Sequence, residues 1–507
     1  MKVKFRFPNY AVWGSIVLML LIIIGCSVPS GTDGTEAVSD PPIQEAADSE
    51  DEKQTPGEEQ KPPDGTDNEE GKQTPGAGEE QKPIDAADND DEKQTSDEEQ
   101  KPTDTTDNEE GKQNPGAGEE QKTENNEGFG FLSWNINYPE EKIWGAALMV
   151  SLKIDNDTFI PYSQFELISA GNQKASLPPG TYRVEARFLS HNVETGSTET
   201  VHIYAGQETR SSLVTIPESV FPEPRTLLSV EALAEYLAGR PENTGNTPYP
   251  IKISGVDLSS TEEKGETLNT LYDALKQRYV TLDLRGCGGT KLSAASTAHI
   301  ANRETVVSLV LPDSVTEISA NGFSGYTSLK SVVLPKVQTI NTSAFKNCTL
   351  LETVFAPKLE IVTEAANNTS GAFVGCIALK TLYFPSLILL GKYAVYGCSS
   401  LTDAAFPRLQ ILDGLAFRRC TALRAVSLPA VVKIASNSFT EDTALAYLIL
   451  GAKPPELGTS VFQSTDFPQS GIIYAPSDAV STYKNTNLAN WPKVKNLVKP
   501  LPNLAVL

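Results

Sequence analysis

One spacing recurs through the second half of the chain and leaves few folds open. An apolar-proline pair stands at Leu311-Pro312, Leu334-Pro335, Ala356-Pro357, Phe384-Pro385, Phe406-Pro407 and Leu428-Pro429, in steps of 23, 22, 28, 22 and 22 residues. The long step carries an insertion, "EAANNTSG". A second mark, usually Ala-Phe, keeps the same register at Phe323, Phe345, Phe373, Val395, Phe417, Phe439 and Phe462. Three residues beyond it come Tyr326, Cys348, Cys376, Cys398, Cys420 and Asp442, and six beyond it Leu329, Leu351, Leu379, Leu401, Leu423 and Leu445. A single unit this short buries its apolar side only against a neighbour, so the units must stack and their ends must be capped.

A period of this length around a Leu-x-x-Leu-x-Leu strand core predicts a leucine-rich repeat solenoid. The unit reads L-x-x-L-x-L-P-x-x-L-x-x-I-x-x-x-A-F-x-x-C-x-x-L. That frame resembles the BspA-like, treponemal-type leucine-rich repeat family of bacterial surface lipoproteins. The closing "GIIYAPSDAVSTYKNTNLANW", with Ile473-Tyr474-Ala475-Pro476 ahead of Tyr483-Lys484 and Trp491, is similar to that family's C-terminal cap. Val395 for Phe and Ala356 for Leu depart from the frame but stay apolar. The repeats are assigned to 301–470 and the C-terminal cap to 471–507. Residues 223–300 read as degenerate, helix-bearing repeats that form the N-terminal cap. Within them "SVEALAEYLAGRP" predicts a helix stopped by Gly239 and Pro241.

Upstream the pattern changes. Over 129–222, period-2 runs such as "ALMVSLKID", "TYRVEARFLS" and "TVHIYAG" alternate with turn material at Asp155-Asn156-Asp157 and Pro178-Pro179-Gly180. This predicts an antiparallel β-sandwich, and "LPPGTYRVEARF" resembles small bacterial prealbumin-like or carbohydrate-binding-like modules. The "DNDT" stretch reads as a hairpin turn, since it lacks the further spaced carboxylates of a calcium loop. The fold class expected is therefore an α/β leucine-rich repeat solenoid, preceded by an all-β sandwich and a disordered acidic tether.

That tether, residues 26–128, repeats at about 40 residues: "DEKQTPGEEQKP" at 51 returns as "DEKQTSDEEQKP" at 91. It has almost no apolar residues with which to offset its ordering entropy. As a flexible chain it would span roughly 50–60 Å, and more with self-repulsion. Residues 27–128 hold 32 Asp and Glu against 8 Lys, so nearly all of the formal charge of −23 sits there. The folded part is close to neutral and has no basic patch, which argues against nucleic acid as a partner.

The first 25 residues have a basic start (Lys2, Lys4, Arg6) and an apolar run from Ile16 to Ile24, shaped as a signal peptide. The run ends in Ile23-Ile24-Gly25-Cys26, which resembles a bacterial lipobox and implies acylation of Cys26. Ser27 follows where some Gram-negative lipoproteins carry an Asp that retains them at the inner membrane. The expectation is a lipid-anchored envelope protein of the outer membrane, exposed or not exposed at the cell surface.

No catalytic, cofactor or metal site is expected. The three histidines, His191, His202 and His299, have no partner spacing, and no HExxH, GxSxG or P-loop pattern occurs. Cys287 in "GCGGTK" reads as part of a turn. One cysteine per repeat without CxxC pairing does not make a zinc site. A small polarizable core residue is the favoured role for the series, with disulfides between coils left open. Recognition then falls to the strand positions that point outward. One such column holds Val333, Phe355 and Tyr383, and its neighbour holds Thr353, Thr381 and Tyr447. These six are the candidate partner-binding residues. The family resemblance implies adhesion to host matrix or cell-surface proteins, or to other bacteria. The alternatives are a periplasmic scaffold, or a carbohydrate-binding accessory protein acting through 129–222.

Overall fold

The computed structural model describes residues 128–502, apart from 169–170, 214–215, 259–267, 290 and 293–302. The leader, Cys26 and the acidic repeats lie outside the described residues. Among those described, no helix is long and apolar enough to cross a membrane.

Each repeat lays down two short strands, and stacking turns them into two parallel sheets. The front sheet pairs 306–310, 331–333, 353–355 and 381–383 in strict register, Ser331 beside Thr353 beside Thr381. It extends backwards through 280–288, 249–257 and 225–227 to make seven strands. A second run of five follows: 403–405, 425–428, 447–450, 472–475 and 498–500. The side sheet is eight two-residue strands, from 291–292 through 317–318 to 456–457. The helix 230–238 lies in the N-terminal cap, where the Ser229 hydroxyl accepts from Ala232 N at 3.1 Å.

The repeat frame explains the core. Residues of the Leu-x-x-Leu-x-Leu positions, such as Leu329, Val332 and Leu334, are fully buried, and one apolar core runs from Leu227 to Val498. The Ala-Phe rings stack coil on coil: Phe323–Phe345 at 5.4 Å between centroids, Phe345–Phe373 at 5.3 Å and Phe417–Phe439 at 5.5 Å. Val395 interrupts the row. There the stack detours through the apolar-proline position, Phe373 to Phe384 to Phe406 to Phe417, at 6.1–6.3 Å per step.

The cysteines form a second column. Each thiol donates to a carbonyl of the preceding coil: Cys348 to Phe323 O at 3.1 Å, Cys376 to Phe345 O at 3.0 Å, Cys398 to Phe373 O at 3.5 Å and Cys420 to Val395 O at 3.2 Å. All four are free and buried, and burial pushes the Cys398 and Cys420 thiols far above the ordinary range. At the ends of the column Tyr326 donates to Tyr272 OH, while Asp442 Oδ1 accepts from Cys420 N at 2.8 Å. Residues two before and two after these marks turn the corners in left-handed conformation, as at Asn321 (φ 59°) and Asn347 (φ 60°), with Gly371 ahead of Phe373 the exception.

The upstream module is a two-layer sandwich. Its strands are β1 (130–134), β2 (145–153), β3 (159–166), β4 (173–177), β5 (180–190), β6 (193–203) and β7 (208–210). The larger sheet, β3-β2-β5-β6, is antiparallel throughout. The smaller, β4-β1-β7, departs from the antiparallel expectation because β1 and β7 run parallel. The "DNDT" stretch is the β2–β3 turn, where Asp155 Oδ1 accepts from Asp157 N and Thr158 N at 3.1 and 2.8 Å.

Candidate binding faces of the solenoid

The outward column of the front sheet is not open to solvent. Val333, Phe355 and Tyr383 are 0%, 7% and 1% exposed. They pack against Trp144, Ala147 and Leu189 of the sandwich, with Met149 at the edge. The expectation of an exposed aromatic strip is therefore corrected: the chain's own β-sandwich covers it. The reason lies in β2, "GAALMVSLK". Ala146, Leu148, Val150 and Leu152 face the sandwich core, while Ala147 and Met149 on the opposite side face the solenoid. A period-2 strand normally leaves one face to water, but this one is buried on both.

The same dock accounts for the neighbouring column. Thr353 is buried and donates to Glu194 Oε2 at 3.1 Å, and Thr381 accepts from Arg187 Nη1 at 3.2 Å. Tyr447 stacks on Tyr474 at 6.4 Å and packs beside a cluster of Ile160, Ala425 and Ile449. All six candidates thus meet the sandwich or its border. They are contact residues of an internal interface rather than a free binding patch.

Close fit and polar matching seal this interface. A Cβ at Gly145 would lie 2.8 Å from Phe355 Cδ1, so only glycine lets the ring rest on the β2 backbone. From the solenoid's N-terminal cap, Arg285 forks onto Asp283 and donates to Ile143 O and Glu141 O of the sandwich at 2.8 and 2.9 Å. His191, 2% exposed, shares a hydrogen bond with Thr281 Oγ1 at 2.7 Å and lies against Trp144. Burial lowers its imidazole to about 4, Asp283 raising it and Arg285 lowering it further. Lys358 reaches Glu166 at 2.6 Å. Two buried polar atoms at the dock, Trp144 Nε1 and Tyr383 OH, have no hydrogen-bond partner among the described residues.

With the front closed, the side sheet presents the remaining strand face. One row of it pairs in register as Ile361 beside Leu389 beside Ile411. Leu389 in this row is 6% exposed, Ile361 and Ile411 are half-buried, and Val432 next to them is 58% exposed. Gln338, Glu360, Gln410 and Lys433 surround it, each at least partly exposed. The row occupies the second x of L-x-x-I, one residue before the buried Val362, Leu390 and Leu412, and the repeat frame does not mark it as apolar.

Residues 297–370 and 358–467 match the BspA type leucine rich repeat region, in six copies. Among solved structures, a T. pallidum leucine rich repeat protein is 29% identical over 30% of this chain and 72% of its own, with a TM-score of 0.27. A leucine-rich repeat protein from Eubacterium ventriosum is 21% identical over 42% of this chain and 58% of its own, with a TM-score of 0.30. A leucine rich cell surface protein from Faecalibacterium prausnitzii is 16% identical over 40% of this chain and 80% of its own, with a TM-score of 0.15. The family match and the coil geometry identify the repeats. No curated protein matches the chain. The fold is one suited to protein–protein interaction.

Proposed function

Starting from a chain whose residues 297–467 are a BspA-type leucine-rich repeat region, we propose a lipid-anchored envelope protein that works by recognition, binding other proteins through the side sheet of its solenoid. The observation behind this reading is the side-sheet row of Ile361 and Ile411, half-buried on either side of the buried Leu389, with the exposed Val432 beside it and polar side chains around it, while the front row is closed. An apolar centre with a polar rim is the anatomy of a protein interface. The partner is a protein of the host matrix, the host cell surface or a neighbouring bacterium. Acylated Cys26 holds the chain to the outer membrane, and the acidic repeats act as the tether.

The test is solid-phase binding of the full-length protein to immobilised host extracellular matrix. Saturable binding is expected, and Ile361→Ser with Ile411→Ser should abolish it without lowering the melting temperature by more than a few degrees. Absent binding, or binding that survives the double change, contradicts the reading. Incorporation of labelled palmitate that stops in Cys26→Ser checks the anchor. Protease shaving of intact cells then separates a surface adhesin from a periplasmic scaffold.

A further inference from the structure

The front sheet is split. Strands 381–383 and 403–405 belong to different sheets, and no ladder joins them. Gln164 of β3 takes the place of the missing neighbour. Its Nε2 donates to Leu382 O at 3.0 Å and its Oε1 accepts from Phe384 N at 3.1 Å, as a residue of a parallel strand would. Beside the split the sandwich stands off the solenoid and leaves a cleft of about 430 Å³ walled by both modules. That volume lies in the range of small-molecule sites.

Most of the charges in this cleft are paired within it. Arg187 forks onto Glu185 at 2.9 and 3.2 Å, Lys380 pairs with Glu352 at 2.7 Å and Arg424 with Asp403 at 3.2 Å. Arg183 lies over the ring of Phe159, 4.9 Å from its centroid, with no carboxylate partner among the described residues. Four cationic side chains (Arg183, Arg187, Lys380, Arg424) and four anionic ones (Glu185, Glu194, Glu352, Asp403) line the wall, which favours neither an anion nor a cation. Fixed donors beside fixed acceptors suit a hydroxyl group, which donates and accepts at once. Phe159 lines the cleft with Arg183 over its ring, so an apolar ring and a guanidinium border the cleft together. A peptide strand finds no edge to join, because Gln164 already occupies the backbone groups of Leu382 and Phe384.

We infer that the cleft between the sandwich and the split front sheet binds a neutral carbohydrate, with Arg183 and Phe159 as contact residues. The site is distinct from the side-sheet row and does not depend on it. Calorimetric titration of the full-length protein with maltotriose, cellotriose, mannotriose and N-acetylchitotriose, carried to millimolar concentration, tests the assignment, with a heparin tetrasaccharide as the anionic comparison. At least one neutral trisaccharide should bind saturably. Arg183→Ala and Phe159→Ala should each weaken that binding roughly tenfold or more. Both variants should keep the wild-type melting temperature, because Arg183 is exposed and Phe159 lies outside the buried core. Failure of every neutral sugar to bind, unchanged affinity in both variants, or preference for the heparin fragment would overturn it.

Discussion

At the scale of single residues, the repeat frame tolerates departures where a neighbour fills the gap. Val395 omits a ring, and Phe384 and Phe406, at positions held elsewhere by Leu or Ala, carry the aromatic stack past it. The departure was visible in the sequence, but its compensation was not, because the rings that replace it sit at a different mark of the repeat. Asp442 is a costlier departure. It occupies the cysteine slot, fully buried, and its Oδ2 has no hydrogen-bond partner among the described residues. Burial pushes its carboxyl well above the usual range, and the nearby Glu441 adds to the effect. A raised pKa in the folded chain means that stability is full below the ordinary value of 3.8 and is lost as pH rises above it. Asp442→Asn keeps the acceptor for Cys420 N and cannot ionise. Its thermal midpoint should exceed that of the wild type at pH near 7, by about 1–3 kcal/mol of stability, and the gap should close near pH 4. A gap that is the same at both pH values contradicts this account of the slot.

At the scale of elements, the strands that carry the fold were the easiest to read and the hardest to orient. The repeat strands announce their inward residues through the Leu-x-x-Leu-x-Leu spacing, since a register slip would flip every side chain. The spacing says nothing about what lies on the other face. The clue was in β2, whose run "GAALMV" is apolar without alternation and begins with the glycine on which the Phe355 ring rests. Read as a half-exposed strand, it leaves the front sheet free; read as buried on both faces, it demands a cover. His191, at the β5–β6 turn with φ of 51°, belongs to the same dock. Its imidazole falls from 6.5 to about 4 on burial. A depressed pKa means that the contribution is present above 6.5 and lost as pH falls toward 4, at most on the order of 3 kcal/mol. His191→Asn, which accepts the left-handed backbone, should lose less stability than the wild type between pH 6.5 and 4.5 in urea titrations. Parallel profiles would show that the imidazole does not titrate with docking.

At the scale of the whole molecule, the sandwich and the solenoid meet over an apolar, hydrogen-bonded face. The solenoid was legible because seven units repeat one frame, and the sandwich because its strands alternate. Their joining was not, since it depends on residues far apart in sequence, such as Gln164 with Leu382 and Arg285 with Ile143, that no local pattern links. The joining also reverses an expectation about Phe355 and Tyr383. As free surface residues they would be replaced at little cost to stability. As buried contacts, Phe355→Ser with Tyr383→Ser should destabilise the protein by several kcal/mol, about 3 or more for the first ring alone. Hydroxyl-radical footprinting of the unmodified full-length protein reads the central claim most directly. If the sandwich covers the front sheet, Trp144, Phe355 and Tyr383 will be protected as strongly as the core rings Phe345 and Phe373, while Phe129 and Tyr204, at 40% and 47% exposure, are oxidised. Oxidation of Phe355 and Tyr383 at the rate of Tyr204 would mean that the front sheet is open.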